Sequence, residues 1–139
     1  MRRFVVDASV AVKWFVPEIH SAPAARLLDP DVVLLAPDLI TAEFGNTVWK
    51  KLRRGEITRD EAGEIVRAFG ELPLDIHRSA VLLPAAFQLA VEFDRSVYDS
   101  LYLSLAIAQK CILVTADAKF HSAVSASPVA AHIRWIDEH

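Results

Sequence analysis

Short runs of β-branched and aliphatic residues return along this chain, and each is followed by a stretch with helical spacing. Phe4-Val5-Val6, Val32-Val33-Leu34-Leu35, Leu74-Asp75-Ile76, Ile112-Leu113-Val114-Thr115 and Ile133-Arg134-Trp135-Ile136 are the strand candidates. Parallel neighbours in a sheet need crossover connections of helical length, so this alternation predicts an α/β sandwich around a mainly parallel sheet. In such sheets ligands bind beyond the carboxyl ends of the strands. Asp7 and the Thr115–Asp117 segment stand at two of those ends.

The intervening helices carry their own signals. Val10–Phe15 can form a helical turn after the first strand, and a short helix is expected around Ala22–Leu28. From Asp38 to Arg54 the residues Leu39, Ala42, Phe44, Val48 and Leu52 recur at roughly helical intervals, and Gly55 supplies a left-handed stop after a basic last turn. Thr58 and Glu61 have the spacing of a capping box and open a helix through Phe69, making a helical hairpin with the one before. Further helices are predicted over Ala80–Phe93, with Pro84 early in it, over the apolar Val97–Lys110, and over Asp117–Ala123.

Length and composition narrow the class. At 139 residues the chain suits one domain, residues 1–139, and 53% hydrophobic residues supply a core with some surplus for a protein interface. Cys111 has no partner for an intramolecular disulfide, and no Cys/His group has zinc-site spacing, which fits a reducing cytoplasm. Asp7 and Lys13 interrupt the apolar stretch behind Arg2 and Arg3 before it could act as a secretory core. Gln109 and Lys110 interrupt the apolar Leu101–Ala116 run, which falls short of the roughly 20 residues that span a bilayer. A net charge of −3 excludes coating nucleic acid by bulk electrostatics, so any RNA must be recruited by local features.

The acidic residues admit simple explanations one at a time. Asp7 and Asp117 can cap the helices that follow them, and Ser96 with Asp99 fits a capping box. Glu43 lies inside its helix beside apolar positions, with Asn46 three residues on and projecting in a neighbouring direction. Capping accounts for several of these residues separately and does not account for the set. Oxygen ligands from a few carboxylates, completed by water and phosphate, are what Mg²⁺ prefers. Without a cation, crowded carboxylates repel and some of their pKa values rise.

Four local motifs now resemble the PIN-domain family, and in particular its VapC-type toxins of bacterial and archaeal toxin–antitoxin pairs. VVDASVAVKWFVPE is similar to the family's opening strand and first acid, PDLITAEFGNTVWK to its Glu-bearing helix, SVYDSLYLSLA to its YDA-type helix, and LVTADAKF to its TAD segment. The resemblance runs from residue 4 to about residue 120, with Ser100 and Ser104 standing where the family has alanines. It implies a three-layer α/β/α fold and an acidic metal site of Asp7, Glu43, Asp99 and Asp117, with Ser9, Asn46 and Thr115 as polar supports. It implies endonucleolytic, Mg²⁺-dependent RNA hydrolysis with Mn²⁺ as a substitute, in which the metal activates water and neutralises phosphate charge. It also implies a homodimer and a cognate antitoxin, with cation exchange between metal and an antitoxin Arg or Lys on the same carboxylates.

Other features are weighed against that reading. Lys50, Lys51, Arg53, Arg54 and Arg59 could meet RNA phosphates, but a solvated helix end explains them more simply; Lys13 is a further basic candidate. Trp14, Trp49 and Trp135 are expected in a core or subunit interface, and the histidines lack catalytic spacing. An aspartyl nucleophile is disfavoured, since Asp7-Ala8-Ser9 lacks a second Asp. The chief alternative is a noncatalytic PIN-fold protein-binding module.

Overall fold

The computed structural model describes residues 2–138; Met1 and His139, the ends of the expected 1–139 domain, lie outside the described residues. The strands are β1 (Arg2–Val6), β2 (Val32–Pro37), β3 (Asp75–His77), β4 (Ile112–Thr115) and β5 (Ile133–Trp135). They form one sheet in the order β3-β2-β1-β4-β5, with every pairing parallel. Val5, Val6, Leu35, Leu113 and Val114 have no solvent exposure, as expected where helices cover both faces of a parallel sheet.

The helices are α1 (Ala8–Ala11), α2 (Ser21–Arg26), α3 (Leu39–Arg53), α4 (Arg59–Phe69), α5 (Ser79–Phe93), α6 (Val97–Ala108) and α7 (Ala118–Ser125). Crossovers between parallel strands of one sheet are right-handed, which with this strand order puts α1 to α4 on one face and α5 to α7 on the other, giving the three layers. On α3, Ile40, Phe44 and Val48 face the core at helical spacing, and Phe44 stacks on Phe69 of α4 with ring centroids 4.0 Å apart. Thr58 and Glu61 make the capping box in full, and Gly55 takes φ +74° at the hairpin turn. The central helix α6 buries everything from Ser100 to Ala106, including both serines that replace alanine.

Several boundaries differ from expectation for local reasons. The turn after β1 begins at Ala8 and tightens into a 3₁₀ turn over Val12–Trp14. α6 stops at Ala108 because Lys110 turns left-handed, φ 55°, to enter β4; no glycine marks that stop. β3 lies one residue further on than the apolar pattern suggested, and α7 runs to Ser125. Cys111 is buried and unpaired, and burial pushes its thiol pKa up, which makes it a poor nucleophile. No helix among the described residues is long and apolar enough to cross a membrane.

Candidate active site

The chain adds strands to one side of β1 (β2, then β3) and then crosses to the other side (β4, then β5). Between β1 and β4 the connections therefore diverge to opposite faces and leave a crevice at the strands' carboxyl ends. The register pairs Val6 with Val114, so the next residues, Asp7 and Thr115, emerge side by side at that crevice.

Asp7 is only 7% exposed and is held from three directions. Ser9 Oγ donates to its Oδ1 at 2.5 Å, the Val10 N–H donates to the same oxygen at 3.3 Å, and Thr115 Oγ1 donates to Oδ2 at 2.6 Å. The supporting hydroxyls are themselves anchored: Ser9 Oγ accepts the Ala116 N–H at 3.1 Å, and Thr115 Oγ1 accepts the Asp117 N–H at 3.1 Å. Burial nevertheless dominates and, with the nearby Asp117 charge, pushes the Asp7 pKa up to about 6 in spite of these bonds.

Glu43 enters from α3, half-buried, and Tyr102 on α6 donates to its Oε1 at 2.5 Å. Burial raises the Glu43 pKa; the Tyr102 hydroxyl opposes that rise, and the Asp99 charge adds to it. Asp99 shows only half of the expected capping box. Ser96 Oγ accepts the Asp99 N–H at 3.1 Å, while the Asp99 carboxylate takes Arg95 at 2.8 Å, an i,i+4 pair within the entrance of α6. Capping therefore leaves the Asp99 side chain unexplained. Asp117 does cap α7, its Oδ1 accepting the Lys119 and Phe120 N–H groups at 3.1 Å each.

Asp7, Ser9, Glu43, Asn46, Asp99 and Asp117 all line one cleft of about 330 Å³, together with Lys50 and Tyr102. Thr115 stands behind it, acting through Asp7 and Asp117. A somewhat larger hollow, about 390 Å³, opens at the amino end of β1 beside Arg2, Arg26 and Asp29, away from the strand ends that carry the acids. The all-oxygen donor set of the acidic cleft suits a hard divalent cation. As the side chains stand, no group of three or more His, Cys, Asp or Glu among the described residues is arranged to hold one. Each acid has an internal partner instead, so a cation would compete with Tyr102 for Glu43 and with Arg95 for Asp99.

Comparison with known proteins decides the family. The family model of the PIN domain matches residues 4–125. The chain belongs to the PIN-domain family. It is 37% identical over 106 residues to Ribonuclease VapC3 of Pyrobaculum aerophilum, covering 75% of this chain and 81% of that protein, which puts it with the VapC-type members. Among solved structures, PAE2754 from Pyrobaculum aerophilum superposes with a TM-score of 0.70 at 21% identity, covering 98% of this chain and 85% of that one. VapBC2 from Rickettsia felis, solved bound to a DNA fragment from its promoter, gives 0.67 at 17% identity, covering 96% and 98%. At those identities the structural likeness speaks for the PIN fold alone.

Tyr102 and Lys50 also line this PIN domain's cleft and are not among the site residues that the motifs give. Tyr102 sits one turn after Asp99 on the same helix face, a spacing that could have flagged it. Lys50 lies two turns after Glu43 and was grouped with the solvated basic end of α3. Lys13, by contrast, is withdrawn as an RNA candidate: it is 9% exposed and paired with Glu18 at 2.9 Å. Glu18 also takes Lys51 at 2.7 Å, and although burial works the other way, the bonds to Lys51 and Lys13 hold its pKa below the usual range. Trp14 is structural, its indole N–H donating to the Ala24 carbonyl at 2.8 Å, whereas Trp49 is half-exposed rather than buried in a core.

Proposed function

We propose that this chain, as one domain over residues 1–139, is the ribonuclease toxin of a VapBC-type pair and cleaves RNA internally by metal-assisted phosphodiester hydrolysis. The observation that carries this reading is the convergence of Asp7, Glu43, Asp99 and Asp117, from four different elements, on one cleft at the switch point of the sheet. The ribonuclease named among its relatives supports the same activity. Asp7, Glu43 and Asp99 would hold Mg²⁺, or Mn²⁺ in its place, with Asp117 beside them. The bound cation supplies a water of lowered pKa and charge neutralisation on the phosphate.

The protein's own groups prepare that chemistry. Ser9 and Thr115 fix the Asp7 carboxylate so that both oxygens keep defined directions. Tyr102 orients Glu43, and Asn46 offers an amide beside it on the cleft wall. Burial of Asp7 makes its ionisation depend on a positive charge arriving nearby, so proton release and cation binding are coupled at one carboxylate.

A cytoplasmic homodimer that binds a cognate antitoxin completes the proposal. Leu83, Phe87 and Val91 form an exposed apolar stripe on α5, with Val81 exposed on the same helix, which suits burial against a second copy. The antitoxin would present an Arg or Lys to the carboxylates. The noncatalytic binding module retains one observation in its favour, the internal pairing of Glu43 with Tyr102 and of Asp99 with Arg95.

RNA cleavage with end mapping, with and without Mg²⁺ and beside Asp7→Asn, separates the two. The ribonuclease cuts only with the cation and loses the cut in Asp7→Asn. Equal cleavage by a folded Asp7→Asn variant removes Asp7 from the machinery, and no cleavage by the wild type favours the binding module.

A further inference from the structure

The last two turns of α3 hold basic residues in two different states. Lys51 is committed to Glu18 at 2.7 Å and to Glu56 at 3.7 Å. Lys50 and Arg53 form no ion pair among the described residues, and Arg54 has only a long 3.9 Å contact to Glu56 while 68% of its side chain is exposed. A helix C-terminus gains from one or two nearby cations. That effect asks for neither a row of free cations nor an exposed aromatic among them.

The row is continuous with the cleft. Glu43, Asn46 and Lys50 follow at i, i+3 and i+7 as one stripe along α3, which the C-cap residue Arg54 continues at i+11. Lys50 lines the carboxylate cleft and also a neighbouring hollow of about 340 Å³ whose other lining residues are Trp49, Arg53 and Arg54. Trp49 is 49% exposed, with the Arg53 guanidinium over its ring, 4.9 Å from the centroid. An exposed indole with a guanidinium over its ring and the exposed Lys50 and Arg54 beside it has the chemistry of a single-stranded nucleic-acid platform: stacking for a base and positive charge for the phosphates. A net charge of −3 and an acidic cleft both repel a polyanion, so the approach needs such a local counterweight.

We propose that Trp49, Lys50, Arg53 and Arg54 form a single-stranded RNA subsite at the lip of the cleft. Trp49 stacks a base flanking the scissile bond, and the three cations hold the adjoining phosphates. This rests on the ribonuclease reading above and adds to it where the substrate lies.

The test measures binding of a short labelled single-stranded RNA in EDTA across a salt series, with cleavage in Mg²⁺ followed in parallel. Lys50→Gln/Arg53→Gln/Arg54→Gln should weaken binding at least tenfold and lower the slope of log affinity against log salt by about 2. Trp49→Ala should lose about tenfold and Trp49→Phe most of that loss should recover. Arg26→Gln, an exposed cation elsewhere, should bind as wild type. Unchanged binding by the triple variant and Trp49→Ala, in a wild type that does bind and cut RNA, overturns the subsite alone. An equal loss in Arg26→Gln overturns it as well, as does a changed sedimentation coefficient with RNA affinity intact, which would mark a protein interface. A wild type that neither binds nor cuts any RNA overturns the ribonuclease reading and this inference together.

Discussion

Tyr102 donates to Glu43 at 2.5 Å and so ties α6 to α3 in the wall of the cleft, joining residues 59 positions apart. The bond favours the ionised carboxylate against the burial that disfavours it. In Tyr102→Phe the opposing effect disappears, and the Glu43 pKa should rise further. A carboxyl carbon titration followed by NMR reads this directly; an unmoved Glu43 would show that the hydroxyl does not tune it. The acidic limb of the cleavage profile should move to higher pH in the same variant.

Asp7 makes stability depend on pH in an unusual direction for a carboxylate. Its folded pKa, about 6, lies above the ordinary aspartate value of 3.8, so the folded state binds a proton more tightly than the unfolded chain. Stability from this group is full below about pH 4, falls as the pH rises through 6, and is flat above; the whole change is on the order of 3 kcal/mol. Asp7→Asn carries no charge and should exceed the wild type in Tm at pH 8, with the gap closing by pH 4. Thermal unfolding at both pH values checks it. Mg²⁺ should raise the wild-type Tm more at pH 8 than at pH 5, since the cation and the proton compete.

Thr115 serves two acids at once, donating to Asp7 and accepting from the Asp117 N–H. Thr115→Val keeps the shape and removes both bonds in a site with no solvent exposure, which should cost about 1–3 kcal/mol in denaturant unfolding. Thr115→Ser retains the hydroxyl and should recover most of the loss. Equal destabilisation by both would point to the methyl group instead.

Arg95 competes for Asp99. Its ion pair is about a quarter exposed on each side, so it contributes under about 1 kcal/mol to folding. Its guanidinium also lies over the Phe120 ring, 5.6 Å from the centroid, and its Nε is buried without a hydrogen-bond partner. Arg95→Gln should therefore tighten Mn²⁺ binding several-fold by calorimetry while leaving Tm within a few degrees. Weaker Mn²⁺ binding in that variant would mean that Arg95 positions Asp99 for the ion.

The α5 stripe gives a separate prediction. Phe87→Glu places a charge in the middle of the exposed apolar surface and should shift sedimentation from dimer to monomer. An unchanged coefficient would show that the α5 stripe is not a self-association surface.

The strands were legible because parallel strands covered on both faces need uninterrupted apolar runs, as in Val32–Leu35 and Ile112–Val114. β3 was harder to place: at the sheet edge its Asp75 and Ile76 are exposed, so burial does not pin its phase. Gly55 announced its turn, whereas Lys110 adopts the same left-handed backbone with nothing in its side chain to signal it. The four acids could be named from their motifs. Thr115 could be named with them as a polar support, and Arg95 stands only four residues before Asp99, but the Tyr102–Glu43 bond joins α6 to α3 across a distance that only the packed helices define.

The bond from Thr115 to Asp7 spans 108 residues. A ribosome has therefore made most of this protein before its first acid acquires the hydroxyl that steadies it. Until β4 emerges, β1 is an edge strand, and the strand end that brings Thr115 and Asp117 to the cleft is missing. The carboxylate site is therefore a late product of the chain, complete only after residues from both ends of the sequence have met.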